Sequence, residues 1–375
     1  MPTREGYVKG ERQKKILRCC GLLLETNFRL AGHGRFPLDS PRMSWKVLIT
    51  SRVFTTLGKP ALQLLRDAGC EVIMSDPAGP LPAAQLAPAL PGIDAVLASP
   101  DRFTPEILGS EGAKGLKIIS RWGVGFDSID IPAATRNGII VAYTPGMLNE
   151  TVADWTWALL LGIARRLHLG NRSVVDGNWQ NYWGHDVSGK TLGIIGCGRI
   201  GQAVARRATG FNMRVLGYDT HPGPSEYGIQ YVPLAELLRE SDFVSLHAAF
   251  TPESRGMISH DQLKQMKPSA YLINTARGPL IDDEALTEAL KKEQIAGAAL
   301  DVFSTEPLPM DSPLRTAPNL LLTPHQASFA RETAERVCMA AAEAIVDLLH
   351  GRKPRWVVDP NVLTALNLRA KLKAS

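Results

Sequence analysis

Three segments carry residue types suited to acid–base work on a small carboxylate: Asn274-Thr275-Ala276-Arg277-Gly278, Asp301 through Glu306-Pro307, and Thr323-Pro324-His325. Arg277 offers a planar fork of N–H donors that matches a carboxylate. His325 is the side-chain type that can hold or release a proton near neutral pH. A Glu306 placed beside that histidine would orient the ring and favour its protonated form. Each segment follows a short apolar run that reads as a strand, and open α/β sheets bind ligands beyond the carboxyl ends of their strands. Spacing along the chain does not prove that the three converge. Any one of them alone reads equally as a surface salt bridge or a loop histidine.

A second group is suited to phosphate. Gly196-Cys197-Gly198-Arg199-Ile200-Gly201 follows an apolar strand and opens a helical stretch, Gln202–Thr209; Asp219 stands 18 residues beyond Gly201, at the end of the next strand. Gly196 permits a tight turn, Gly198 lets backbone approach a pyrophosphate, and Gly201 lets helix and strand pack closely. The helix amino terminus adds free N–H groups and a partial positive charge. Asp219 would accept from the ribose hydroxyls and repel a 2′-phosphate, and Thr220-His221-Pro222-Gly223 supply no Arg or Lys to welcome one. The segment predicts NAD rather than NADP. Its alternative is a glycine turn with no ligand.

These residues need elements to position them. Short apolar runs alternate with helical periods such as Ala61–Ala68 and Ile131–Asn137. The first set of strands is Val47–Thr50, Glu71–Ser75, Ala95–Ser99, Lys117–Ser120 and Ile139–Ala142. The second is Thr191–Ile195, Arg214–Tyr218, Phe243–His247, Tyr271–Asn274, Ala296–Leu300 and Leu320–Thr323. Strands spaced by helices predict βαβ units and parallel sheets. A long helix from Asn149 to Leu169, capped near Asn149, joins the two sets, and Trp179–Gly189 reads as a linker. The last helix spans Phe329–Leu349. No solenoid repeat or low-complexity tract interrupts this pattern.

Charge and composition narrow the partners. The 375 residues hold 42 Lys and Arg against 37 Asp and Glu, a formal charge of +5. Residues 1–42 account for nine basic and four acidic residues, and 352–375 for six and one, so the segment between them is −5. A basic pI drawn from the two ends gives no ground for a nucleic-acid partner. Trp155–Ala164 is the longest strongly apolar run, too short to span a bilayer. Cys19, Cys20, Cys70, Cys197 and Cys338 form no paired motif, which argues against a disulfide framework or a zinc site and fits a reducing cytoplasm. Residues 1–43 read as a disordered extension, with Met43 an alternative start that would bring the charge to zero. Their apolar patch Ile16–Leu24, broken by Arg18, makes a poor secretory core.

Two further runs, Arg121-Trp122-Gly123-Val124-Gly125-Phe126-Asp127-Ser128-Ile129-Asp130 and Thr144-Pro145-Gly146 through Thr151-Val152-Ala153-Asp154, complete a set of motifs. With the segments above, they make the chain resemble the D-isomer-specific 2-hydroxyacid dehydrogenases from about Met43 to Leu349. The resemblance implies two doubly wound, Rossmann-like parallel-sheet domains with a cleft between them. Residues 44–147 and 326–365 would form a discontinuous substrate domain, and 148–325 the NAD-binding domain. It implies hydride transfer between nicotinamide and C2 of a small 2-hydroxy or 2-keto acid, with His325 as acid/base, Glu306 as its partner and Arg277 as substrate anchor. Trp122, Val124 and Gly125 would line the substrate. Arg199 and Ile200 would lie at the pyrophosphate, Thr151, Thr275, Ala276 and Asp301 on the nicotinamide side, and His247 and Thr251 beside the adenosine and phosphates. The apolar helix from Asn149 to Leu169 would be a homodimer contact, with intrachain burial as its alternative.

Departures from the pattern bear on the substrate. His247-Ala248-Ala249-Phe250-Thr251 replaces a more usual His-x-Pro-Leu-Thr, and Glu306 stands where formate dehydrogenases carry Gln. D-3-Phosphoglycerate is the leading expectation for the acid and glyoxylate or hydroxypyruvate the alternative. The place of an Arg-Ser pair that reads the phosphate is taken by Ala98-Ser99-Pro100-Asp101-Arg102, leaving Arg52, Arg102 or Arg121 to substitute. A nucleotide-sensing, corepressor-like binding protein is the reading from another class. Asp219→Ala should relax discrimination between NADH and NADPH. Unchanged discrimination in parallel titrations would show that another group reads the ribose.

Overall fold

A computed structural model of the protein describes residues 44–373. The expectations for residues 1–43, and Cys19 and Cys20 with them, lie outside the described residues. The first sheet holds β1 (Lys46–Ile49), β2 (Glu71–Met74), β3 (Ala95–Ala98), β4 (Ile118–Arg121) and β5 (Ile140–Ala142), in the order β2-β1-β3-β4-β5. The second holds β6 (Thr191–Ile195), β7 (Arg214–Tyr218), β8 (Gln230–Tyr231), β9 (Phe243–Leu246), β10 (Tyr271–Asn274), β11 (Gly297–Leu300) and β12 (Leu320–Leu322), in the order β12-β11-β10-β9-β6-β7-β8. All pairings are parallel. β3, β9, β10 and β11 are buried along their whole length, which is why they read as continuous apolar runs rather than alternating ones. β8 is a seventh strand in the second sheet where six are expected; two edge residues leave no apolar run to announce it.

Both sheets are doubly wound, and each reverses its order once. The reversal falls between β1 and β3 in the first sheet and between β6 and β9 in the second. Loops that leave such a pair diverge and open a crevice at the carboxyl edge. Thr50 and Asp101 stand at one reversal, Gly196 and His247 at the other.

Helices join the sheets. α1 (Lys59–Asp67) and α5 (Arg331–Leu349) pack on one another and on the first sheet, where Val337, Ala341 and Ile345 share a core with Val47, Leu97 and Ile118. Ser120 Oγ, on β4, donates to the Ala341 carbonyl at 2.8 Å. The last helix thus returns to the first sheet although it follows the last strand of the second. α2 (Asn149–Ala164) packs on α4 (Arg199–Ala208) and on β10, β11 and β12.

Two expectations for the connecting helix need correction. It ends at Ala164, and a separate helix, α3 (Leu167–Val175), follows. Arg166 between them has φ of 56°, a left-handed conformation that a right-handed helix cannot carry through. Leu148, not Asn149, holds the capping position, and no side chain caps it. Its apolar character is largely answered inside the chain: Val152, Trp157, Leu159, Leu160 and Ile163 are buried. The exposed apolar residues come later, at Leu167, Val174, Val175, Trp179 and Trp183.

Among the described residues, no helix is long and apolar enough to cross a membrane. Leu160 is wholly buried among Ile163, Ile194 and Ile273. Leu160→Ala should cost about 2–5 kcal/mol of stability by leaving a cavity between α2 and the second sheet. Denaturant unfolding would measure it, and a loss under about 1 kcal/mol would show that the site collapses around the gap.

Candidate active site

Glu306 and His325 stand on the loops that leave β11 and β12, neighbouring strands in register at Leu300 and Leu322. Glu306 Oε2 lies 2.7 Å from His325 Nδ1, and its Oε1 accepts from the Phe303 backbone N–H at 3.0 Å. Burial pushes the Glu306 carboxyl up, but the hydrogen bond and charge of His325, the Phe303 N–H and the Arg277 charge together hold it below the usual range. It is therefore an ionised acceptor near neutral pH. Nδ1 must carry the proton in this bond, which leaves Nε2 to exchange one with a ligand.

The loop that presents His325 hangs on Asp301. This carboxylate is fully buried at the end of β11. Its Oδ1 accepts from Thr323 Oγ1 at 2.6 Å, the Gln326 N–H at 3.0 Å and Trp155 Nε1 at 3.2 Å; its Oδ2 accepts from the Ala327 N–H at 2.8 Å. The His325 N–H donates to the Asp301 carbonyl at 2.8 Å, with His325 itself at φ of 51°. Burial raises the Asp301 carboxyl above its usual range despite these donors. The resemblance places Asp301 at the nicotinamide; here its oxygens are occupied by the loop it anchors.

Arg277 leaves β10. Its Nε and Nη2 donate to Asp127 Oδ1 at 3.0 and 2.9 Å, and its Nη1 to its neighbour's carbonyl, Ala276 O, at 2.7 Å. Asn274 fixes the turn by donating to the Arg277 carbonyl and accepting from the Ala276 N–H, both at 2.9 Å. Asp127 belongs to the loop after β4, so this ion pair runs from one sheet's edge to the other's. Burial raises the Asp127 carboxyl, but the charge and hydrogen bonds of Arg277, with backbone and Arg121 contributions, together hold it below the usual range. Two glycines allow the closeness. A Cβ on Gly125 would lie 1.6 Å from Arg277 Nη2, and one on Gly278 would lie 1.9 Å from the Phe303 carbonyl carbon.

The structure thus gathers Arg277, Glu306, His325 and Gly125. It does not place Trp122 with them. That ring is buried in the first sheet's core, edge-on to Phe329 with centroids 6.0 Å apart, and Val124 packs partly against the same core. Asp127 was given no part by the sequence, although a carboxylate two residues beyond Gly125, in a loop expected to hold an anion, implies a cation for it to meet.

The glycine-rich turn is shaped for a pyrophosphate. Gly196 has φ of 91°, and a Cβ on it would lie 2.3 Å from the Ala248 nitrogen. A Cβ on Gly201 would lie 2.2 Å from the Gly196 oxygen, so strand and helix touch there. Gly198 has nothing within 4 Å of its absent Cβ, leaving the amino-terminal end of α4 open between exposed Arg199 and half-buried Ile200. Asp219, at the end of β7, is locked by N–H donors on both oxygens: Cys197 at 2.7 Å and His221 at 2.9 Å. NAD fits this donor set.

The remaining positions divide. His247 lies beneath the turn, its Nε2 2.8 Å from Ser245 Oγ and its Nδ1 sealed without a partner; burial pushes the imidazole down to about 3, so it is neutral. Thr251 is exposed, and its N–H donates to Ser254 Oγ at 2.9 Å. Thr151 pairs with Thr333 at 2.7 Å, tying α2 to α5, and Thr275 pairs with Thr156 at 2.9 Å beside half-buried Ala276.

Comparison with known proteins agrees with this geometry. Residues 157–327 match the family model described as D-isomer specific 2-hydroxyacid dehydrogenase, NAD binding domain. A Korarchaeum cryptofilum protein named glyoxylate reductase is 47% identical over 262 residues, which cover 68% of this chain and 79% of that one. Another of that name, from Thermofilum pendens, is 38% identical over 326 residues, covering 83% and 95%. Among solved structures, a Thermus thermophilus protein superposes with a TM-score of 0.77 at 42% identity, covering 84% of this chain and 100% of that one. A glyoxylate reductase from Paecilomyes thermophila gives 0.75 at 28% identity, covering 85% and 99%. With two Rossmann-like sheets, a glycine turn built for a dinucleotide and relatives that it matches over most of their length, the chain belongs to the D-isomer-specific 2-hydroxyacid dehydrogenase family and is an NAD-dependent oxidoreductase.

Proposed function

We propose that the chain reduces a small 2-keto acid to its D-2-hydroxy acid, with glyoxylate or hydroxypyruvate as substrate. The observation that carries this reading is the 2.7 Å His325–Glu306 pair on the loop beside Arg277. Three of the five Arg277 N–H groups are taken by Asp127 and Ala276. One remains on Nη1 and one on Nη2, a fork for the substrate carboxylate. The N–H groups of Val124 and Gly125 assist it. His325 Nε2 gives its proton to the keto oxygen, and the ionised Glu306 stabilises the charge that the ring carries before transfer. NADH, when bound, supplies the hydride to the keto carbon. Gly196, Gly198, Arg199, Ile200 and Gly201 hold its pyrophosphate and Asp219 its ribose, with His247 and Thr251 nearby. Thr151, Thr275, Ala276 and Asp301 shape the nicotinamide side from behind, with Thr275 and Asp301 bonded to α2 and Thr151 tying α2 to α5.

Glyoxylate and hydroxypyruvate carry more support than 3-phosphoglycerate. The similar proteins are named glyoxylate reductases. Arg102 is exposed, and Arg52 is exposed with its Nε directed to the Ala78 carbonyl at 3.3 Å. We assign 44–147 with 326–365 to the substrate domain and 148–325 to the nucleotide domain. The shared core of α5 and the first sheet, and the bridge of Val357 to Ala142, support that division. A second copy covering Leu167, Val174, Val175, Trp179 and Trp183 makes the protein a homodimer, and buried free thiols at Cys70, Cys197 and Cys338 suit the cytoplasm.

NADH oxidation over a panel of 2-keto acids tests the reading. His325→Gln should lower kcat by about 100-fold or more while leaving NADH affinity intact; retained turnover would remove His325 from the chemistry. Asp127→Asn should raise KM for the keto acid by about tenfold, by releasing the guanidinium it holds, and change kcat less. A kcat loss with KM unchanged would contradict that role.

A further inference from the structure

Arg121, the last residue of β4, takes no part in the chemistry above. It lies opposite Ala98 of β3, beside the loop that reverses the first sheet's order, and two residues before Gly123, whose Cβ would sit 3.5 Å from its Nη1. Its Nη1 donates to the Trp122 carbonyl, while its Nε is sealed from solvent without a partner. Burial and the like charge of Arg277 pull its pKa down to about 10, against the pull of Asp101 and Asp127, so it remains a cation at neutral pH.

Among the described residues, no carboxylate is hydrogen-bonded to this guanidinium. Asp127 Oδ1 is taken by Arg277. Asp101 receives the Leu81 N–H at 2.6 Å, the Ser99 N–H at 2.8 Å and Thr50 Oγ1 at 2.5 Å. A second orphan, Ser51 Oγ, is buried at the end of β1 on the same edge. A buried donor without an acceptor is costly, and where one persists a ligand is a reason for it. Arg121 opens the loop in which Gly123 approaches its own Nη1 and Gly125 approaches Arg277 Nη2, so both guanidinium groups lie against one short stretch of backbone.

We propose that Arg121 is a specificity-determining residue that donates to an oxygen on carbon 3 of the 2-keto acid whose carboxylate Arg277 holds. The assignment rests on Arg277 as anchor. Hydroxypyruvate presents such an oxygen, pyruvate presents a methyl group there, and glyoxylate ends before it. Asp101 and Asp127 flank the guanidinium with negative charge, which favours a neutral hydroxyl over a phosphate dianion. Of the three arginines that the sequence leaves open for this end of the substrate, Arg121 is the one with a buried, unclaimed donor.

The test measures kcat/KM with NADH for hydroxypyruvate, pyruvate and glyoxylate. Wild-type protein should prefer hydroxypyruvate to pyruvate by about tenfold or more, since a site built to bond a hydroxyl rejects the analogue that lacks it. Arg121→Met should collapse that preference and lower the hydroxypyruvate-to-glyoxylate ratio about tenfold, and Arg121→Lys should restore part of it. Ratios unmoved by the substitution, or equal wild-type use of hydroxypyruvate and pyruvate, would overturn the proposal even if Arg121→Met folds poorly. Wild-type protein inert towards every 2-keto acid would instead overturn the reading of the whole site.

Discussion

A buried carboxylate at the end of β11 accepts from four donors on two different connections between the sheets. Trp155 of α2 reaches Asp301 from the stretch that carries the chain out of the first sheet. Thr323, Gln326 and Ala327 reach it from the stretch that carries the chain back. The Thr151–Thr333 bond ties the first turns of α2 and α5 close by. Both crossings are therefore pinned near one point, and His325 sits on one of them. Burial raises the Asp301 carboxyl, and its donors make a buried acceptor tolerable.

Around that point the charges alternate. Glu306 faces His325, Asp127 faces Arg277, and Arg121 stands behind with its Nε unclaimed. The pairing has a physical consequence. Each carboxylate keeps its partner in one orientation, which lowers the reorganisation needed when a ligand arrives. Gly125 and Gly278 matter for the same reason: a methyl group at either position would push apart the loops that this pairing requires to touch.

The nucleotide side depends on contact of another kind. Gly196 and Gly201 bring backbone against backbone, while Gly198 leaves space. Asp219 bonds to the N–H of Cys197 inside that turn, so the end of β7 and the glycine turn hold one another in place. Neutral His247 beneath the turn adds no charge to a site that must accept a dinucleotide.

By itself the sequence determined whatever rests on local rules. Buried parallel strands need unbroken apolar runs, so β6, β7 and β10 lie where the runs are, and a turn at positive φ needs glycine, so Gly196 was legible. Asp219 was legible because strand and turn lengths carry it to the turn. The short edge strand β8 and the break at Arg166 were not, since neither leaves a periodic signal. Nor were the long-range choices. Only the tertiary structure decided that Trp122 turns into the core, which of two readings holds for the apolar face of α2, and that Asp127 meets Arg277 across 150 residues. Those outcomes depend on which surfaces meet once the sheets form, and residue spacing along a chain does not encode that meeting.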